Sequence, residues 1–110
     1  MDVAFAHEMK KSAKRASDLL AALANDKRLM ILCHLVHGET KVFELAALVE
    51  LSQSALSQHL AKLRALGLVA TRRDGQCVYY RVASPEALRV LKTLYEIYCN
   101  PGGKPLRNPI

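Results

Sequence analysis

Apolar residues recur at helical spacing along most of the chain, and the period shortens once, after Gly67. The clearest stretch is Leu51 to Gly67, where Leu56, Leu60 and Leu63 fall on one stripe. Ser52 stands where an N-cap is wanted, and Gly67 where a helix stops. Ser54, Ser57, Gln58 and Lys62 fall on other faces, with Gln53 and His59 beside the stripe. One side therefore packs, and the other offers short polar side chains suited to base edges. The pattern predicts the recognition helix of a DNA-binding domain.

Three helices are predicted before it. The first runs from about Phe5 to Ala24, with Leu19, Leu20, Leu23 and Ala24 as a late apolar stripe. Lys10, Lys11, Lys14 and Arg15 in its early half form either a solvated face or a contact for phosphate or a partner helix. Asn25 or Asp26 caps a second helix, Lys27 to His37, with Leu29, Leu32, Cys33 and Val36 inward and Gly38 at its end. The third, Lys41 to Glu50, turns Val42, Leu45, Ala46 and Val49 inward. A short break at Leu51 and Ser52 joins it to the recognition helix, which makes a helix-turn-helix.

After Gly67, Leu68 to Arg73 and Cys77 to Val82 are rich in Val, Tyr and Thr around Asp74-Gly75. That is a hairpin signal, because Asp-Gly supplies the positive φ a tight turn wants. The loop can extend to Gln76, which leaves the turn type open. Ser84-Pro85 then reads as an N-cap with proline at the first helical position. The last helix runs to about Cys99, with Leu88, Leu91, Tyr95 and Tyr98 on its stripe. Residues 100–110 hold Pro101, Gly102, Gly103, Pro105 and Pro109 and are expected to be a disordered tail to a single domain at 1–99. The predicted fold is mainly α with a small β-hairpin, a winged helix-turn-helix. Arg72, Arg73 and Arg81 on the hairpin suit the DNA backbone or a minor groove.

Composition changes this picture little. A 110-residue chain with 51% hydrophobic and 24% charged residues is one globular domain, and without tryptophan its core must be aliphatic. A net charge of +6 and a pI near 9.5 favour a polyanionic partner, although a merely basic soluble protein has the same balance. No apolar run approaches the roughly 20 residues of a membrane span. Met1 to Arg15 does not look like a secretory signal, so cytoplasmic residence and three reduced thiols are expected.

Three segments carry a resemblance: Ala-Asn-Asp-Lys-Arg-Leu-Met-Ile-Leu at 24–32, Ser-Gln-Ser-Ala-Leu-Ser-Gln-His-Leu at 52–60 and Arg-Arg-Asp-Gly-Gln-Cys-Val-Tyr-Tyr-Arg-Val at 72–82. Together they resemble the ArsR/SmtB family over roughly residues 13 to 99. The resemblance implies a homodimeric bacterial repressor, dimeric through its first and last helices, with two recognition helices on an imperfect palindrome in double-stranded DNA. It also implies an inducer that weakens the DNA complex. Its DNA-reading positions correspond to Gln53, Ser54, Ser57, Gln58 and His59, with Arg72, Arg73 and Gln76 on the wing. Gln pairs bidentately with adenine and Ser is permissive, but His59 can equally be a structural histidine. Lys62 suits a phosphate contact or simple surface charge. One departure is Lys41-Val42-Phe43-Glu44 where the family commonly opens the third helix with a Ser capping box. Lysine cannot accept an amide hydrogen bond, so Thr40 is expected to cap one residue earlier.

Metal sensing needs clustered thiolates, imidazoles or carboxylates, and His34 with His37 on one helix is too little for a soft ion. No metal and no cofactor are expected. Cys33 and Cys99 instead resemble the dithiol of the BigR, SqrR and HlyU-like branch, which implies sensing of persulfides or oxidants by linking two cysteines. A thiolate attacks a sulfane sulfur or peroxide, and a second thiol captures the product. Cys33 on an apolar stripe can also be inert filler, and Cys77 has no assigned partner. The alternatives are a constitutive or derepressing regulator with structural cysteines, a metal-responsive repressor, and a winged helix used only for protein contact. A thiol enzyme has little support, since Cys33 and His34 point about 100° apart on a helix and no catalytic motif is visible.

Overall fold

Three side chains open three of the helices by accepting amides that have no partner inside the helix. Asn25 Oδ1 accepts from the backbone of Lys27 and Arg28, each at 3.0 Å. Ser52 Oγ accepts from Ala55 at 3.1 Å, and Ser84 Oγ from Ala87 at 3.0 Å. The computed structural model describes residues 3–99. Its elements are α1 (Val3–Leu23), α2 (Asp26–Leu35), β1 (Thr40–Lys41), α3 (Val42–Leu48), α4 (Gln53–Ala65), β2 (Val69–Asp74), β3 (Cys77–Val82) and α5 (Pro85–Tyr98). The tail expected at 100–110 lies outside the described residues.

The core is aliphatic. Ile31, Leu32 and Leu35 of α2, Leu45 of α3, and Leu56, Leu60 and Leu63 of α4 are the largest fully buried side chains. Each contributes about 1.5–3 kcal/mol by burial, so the pairing of α2, α3 and α4 is the main apolar commitment of the fold. α1 adds Ala22 and Leu23 and α5 adds Ala87 and Leu91 at the edge of this cluster. Arg28 ties α1 down: its Nε donates to the Ala22 carbonyl at 2.7 Å and its Nη2 to Ala21 at 3.3 Å, satisfying carbonyls at the helix end.

The helix ends follow backbone rules closely. At the end of α4, Gly67 has φ 75° and its amide donates to Arg64, while Leu68 donates to Leu63. This is the double hydrogen bond of a Schellman ending, and glycine takes the left-handed position without strain. α3 ends the same way, with Glu50 donating to Ala47 and Leu51 to Ala46. Here, however, the left-handed residue is Glu50 at φ 56°.

Several expectations are corrected. The wing has three strands, ordered β1-β3-β2, because Thr40 and Lys41 pair with Tyr80 and Tyr79. Thr40 is therefore a strand residue and does not cap α3. Its hydroxyl donates to the Gly38 carbonyl at 3.4 Å, and the cap position is Lys41, with no side-chain hydrogen bond. The hairpin loop is Gly75-Gln76, since Asp74 still pairs with Cys77. Gly75 has φ 63° and Gln76 is not left-handed, the type II′ pattern. Leu20, Leu88 and Tyr98, assigned to inward stripes, are exposed in the single chain at 58%, 39% and 76%.

The Glu50 conformation carries a testable cost. A side chain in the left-handed region costs about 1–2 kcal/mol, partly offset by the greater unfolded-state freedom of glycine. Glu50→Gly is expected to raise stability by about 0.5–1 kcal/mol, or a few degrees in Tm at fixed protein concentration. Thermal denaturation followed by circular dichroism checks this, and a lower Tm for the variant would contradict it.

Candidate nucleic-acid interface

The polar face of α4 follows from its buried one. At about 100° per residue, Ser54, Gln58 and Lys62 stand opposite the Leu56-Leu60-Leu63 stripe, with Ser57 to one side. Gln53, Ser54, Ser57, Gln58 and Lys62 are all exposed, and none has a side-chain hydrogen bond among the described residues. Five polar side chains on a rigid, capped helix are thus free to meet another surface. Nothing in the chain's own packing requires them to be polar.

His59 is different. It flanks the stripe and is partly buried. Burial holds its imidazole below the usual histidine range, reinforced by the positive charges of Arg28 and Lys62 and opposed by Asp26. The ring is therefore neutral at physiological pH and lies over the start of α2. Of the α4 candidates it is the one with a packing role.

The wing divides its arginines. Consecutive residues of a strand face opposite ways, and β2 pairs with β3 so that Arg72 lies opposite Tyr79 and Arg73 opposite Val78. Arg73 continues the face that carries Val69, Thr71, Tyr80 and Val82, beyond the point where that face packs on the core. Arg73 and Gln76 are exposed near the hairpin tip. Arg72 lies on the other face with Lys41, Tyr79 and Arg81.

There Arg72 is held. Its Nε donates to both carboxylate oxygens of Glu39, at 3.0 and 3.1 Å, and its guanidinium carbon lies 4.4 Å from the centre of the Tyr79 ring. Lys41 Nζ is 6.0 Å from the same ring. The hydrogen bond from Arg72, together with its charge and that of Arg81, holds the Glu39 carboxyl below its ordinary range. Sequence reasoning missed Glu39 and Tyr79. The only available signal was the count of basic residues around one acid, since Glu39 and Arg72 are distant in the chain.

Cys33 and Cys99 belong to α2 and the end of α5, whereas Cys77 opens β3 beside Gln76 at the hairpin tip. All three are free thiols: Cys33 half-buried against the core, Cys77 and Cys99 exposed. Burial pushes the Cys33 thiol up, and the neighbouring Cys99 adds to the effect when charged, so the two groups are within electrostatic reach. Cys99 sits at the C-cap of α5, its amide donating to the Tyr95 carbonyl at 2.8 Å. Among the described residues no three His, Cys, Asp or Glu side chains converge to hold a metal, and His34 and His37 have no further ligand beside them.

The His59 environment fixes the sign of a pH effect. Its pKa in the folded chain lies below the unfolded value of 6.5, so the unfolded chain binds the proton more readily. The stability it contributes is complete above that value and is lost as pH falls through the folded pKa. Between pH 7.5 and 5.5 the wild type is expected to lose more Tm than His59→Gln. Equal losses in paired melting curves would contradict the assigned environment.

In sequence and in fold the chain is similar to known bacterial regulators. The profile of the arsR family of bacterial regulatory proteins matches residues 25–71. The chain is 50% identical over 92 residues to the transcriptional activator HlyU of Vibrio cholerae, covering 84% of this chain and 85% of that protein. It is 43% identical over 93 residues to a biofilm growth-associated repressor of Agrobacterium fabrum, covering 84% and 80%. Among solved structures, reduced HlyU from Vibrio cholerae superposes with a TM-score of 0.79 at 50% identity over 84% of this chain and 97% of that one. The homodimeric winged helix-turn-helix DNA-binding domain Mb0332 of Mycobacterium bovis superposes at 0.72 with 30% identity, covering 86% of each chain. The chain belongs to the arsR family of bacterial regulatory proteins and is a DNA-binding transcription regulator with a winged helix-turn-helix.

Proposed function

We propose that the protein is a cytoplasmic, homodimeric repressor whose hold on an imperfect palindromic operator is weakened when Cys33 and Cys99 are linked by persulfides, polysulfides or oxidants. The observation that carries the sensing half is the placement of two thiols from α2 and α5 within electrostatic reach, one half-buried and one exposed. The DNA half rests on the free polar face of α4. Gln53, Ser54, Ser57 and Gln58 read base edges, Lys62 meets phosphate, and Arg72, Arg73 and Gln76 contact the backbone or minor groove beside it. His59 supports the helix from below and reaches DNA only at the edge of this face.

Dimerisation through α1 and α5 accounts for apolar side chains that the single chain leaves in water. Leu20 on α1 and Leu88, Ile97 and Tyr98 on α5 are exposed in the single chain, as are Val3, Phe5 and Met9 of α1. A structural relative, Mb0332, is named as homodimeric, which supports a dimer as such. Two α4 helices one turn of DNA apart, about 34–36 Å, then meet two half-sites.

The redox step assigns different work to the two thiols. Cys99, exposed, attacks as thiolate the terminal sulfur of a persulfide R–S–SH, takes up that one SH sulfur to become Cys99–S–SH, and releases RS⁻. Cys33, whose burial keeps it a thiol until a partner is presented, gives up its proton and attacks the Cys99 sulfur. A Cys33–Cys99 disulfide forms and HS⁻ leaves; longer bridges retain additional sulfur. With peroxide, Cys99 becomes a sulfenic acid and water is the final leaving group. Because α2 shares its core with α4, drawing the end of α5 onto α2 shifts the dimer helices against the recognition helices and disturbs half-site spacing.

A second reading keeps the DNA binding and makes the cysteines structural, with Cys33 as core filler; its packing against the buried cluster favours that reading. A regulator that derepresses by displacing another DNA-binding protein fits the same surface, and HlyU is named an activator. Mobility-shift titrations with and without polysulfide separate the sensing readings. Wild-type affinity is expected to fall on treatment by about 5–150-fold, while Cys33→Ser and Cys99→Ser stay bound. Mass spectrometry should find a sulfur adduct held on Cys99 in Cys33→Ser. Equal release of all three proteins would overturn the sensing mechanism and leave the DNA reading standing.

A further inference from the structure

The wing carries an acid where a DNA-binding surface would be expected to carry none. Glu39 lies among Lys41, Arg72 and Arg81, and a carboxylate facing DNA repels phosphate by itself. Its geometry points to a use. Glu39 engages only the Nε of Arg72, through both of its oxygens, and the Arg72 guanidinium carbon lies over the Tyr79 ring at 4.4 Å from its centre. Neither terminal amine of Arg72 has an acceptor among the described residues, and the side chain remains 49% exposed.

An arginine gripped by its Nε and supported on a ring keeps a forked pair of amines aimed outward. That pair is the part of the side chain that meets a phosphate bidentately. A free arginine carries about 2 kcal/mol of rotamer entropy, so holding it beforehand reduces what binding must overcome. Tyr79 is itself placed by the sheet: β3 is the middle strand, with Lys41 paired on one side and Arg72 on the other. Glu39 immediately precedes the short strand β1, whose pairing with β3 holds this end of the chain beside the row.

We propose that Glu39 and Tyr79 are positioning residues that present the terminal amines of Arg72 to a DNA phosphate. The inference rests on the reading of the wing as a DNA contact, and it predicts an inverted sign. Removing a negative charge from a DNA-binding surface should tighten the complex. Removing the carboxylate of Glu39 should weaken it, because Arg72 is released from its pose.

The test is a double-mutant cycle by fluorescence anisotropy on a double-stranded fragment that the wild type enriches from random DNA, repeated across salt concentrations. Glu39→Gln is isosteric and exposed, and melting curves confirm that each variant is folded. Arg72→Ala is expected to weaken binding by roughly 10-fold and to lower the salt slope by about one. Glu39→Gln should weaken it by roughly 3–10-fold with a similar loss of slope. In the Arg72→Ala background it should give no weakening. A Glu39→Gln protein that binds more tightly, by the same factor in both backgrounds, would overturn the positioning role while leaving Arg72 a DNA contact. Unchanged affinity and slope in Arg72→Ala would overturn the wing reading and the inference together.

Discussion

The burial of Leu56, Leu60 and Leu63 against α2 and α3 is the constraint from which the rest of the structure follows. It fixes the rotation of α4 about its own axis, and that rotation decides which residues face outward. Replacing one of these leucines by alanine costs about 2–5 kcal/mol, a large fraction of the stability of a domain this size. The same three contacts therefore hold the fold and set which α4 side chains form the exposed polar face proposed to read DNA. The Schellman endings of α3 and α4, within and after the helix-turn-helix, do the complementary job, setting the direction in which the chain leaves each helix. Glu50 in a left-handed conformation marks the position where the sharp turn between α3 and α4 outweighs local preference.

Around that rigid centre, the proposed DNA contacts and the proposed thiol switch occupy separate parts of the chain. Polar α4 residues and the wing lie on one surface; Cys33 and Cys99 belong to α2 and the end of α5, elements that carry no DNA candidate. In the proposed mechanism this separation lets a thiol reaction act through packing without touching the proposed reading face. α2 is the shared element, since it carries Cys33 half-way into the same core that holds α4. The exposed apolar side chains of α1 and α5 give a second copy something to cover, which would place the Cys99 end of α5 close to the dimer axis of the proposed assembly.

Much of this was legible in the residues. Ser52 and Gly67 bracket α4 because capping and left-handed endings depend on side-chain type and position alone. Ser84-Pro85 announces α5 for the same reason, and the two longer strands show in their Val, Tyr and Thr content. What escaped depends on pairing across distance. β1 is two residues long, too short for any period, and exists only because Tyr79 and Tyr80 offer it an edge. The cap of α3 failed as an inference because Thr40 was taken into that strand. The turn moved by one residue because cross-strand pairing keeps Asp74 in the ladder. Arg72 and Arg73 look equivalent as neighbours, and only the strand's alternation sends them to opposite faces. Leu20, Leu88 and Tyr98 lie on the faces expected to be apolar, but one chain alone does not cover them.

The central claim is that the outward face of α4 determines which DNA is bound. Selection from random double-stranded DNA by the wild type and by Gln58→Ala tests it most directly. The wild type should enrich two half-sites centred about one helical turn apart, and Gln58→Ala should relax the preference at particular base pairs within each half-site while keeping the spacing. Enrichment of the same sequences, with the same base preferences, by both proteins would contradict the claim that α4 reads bases through this residue.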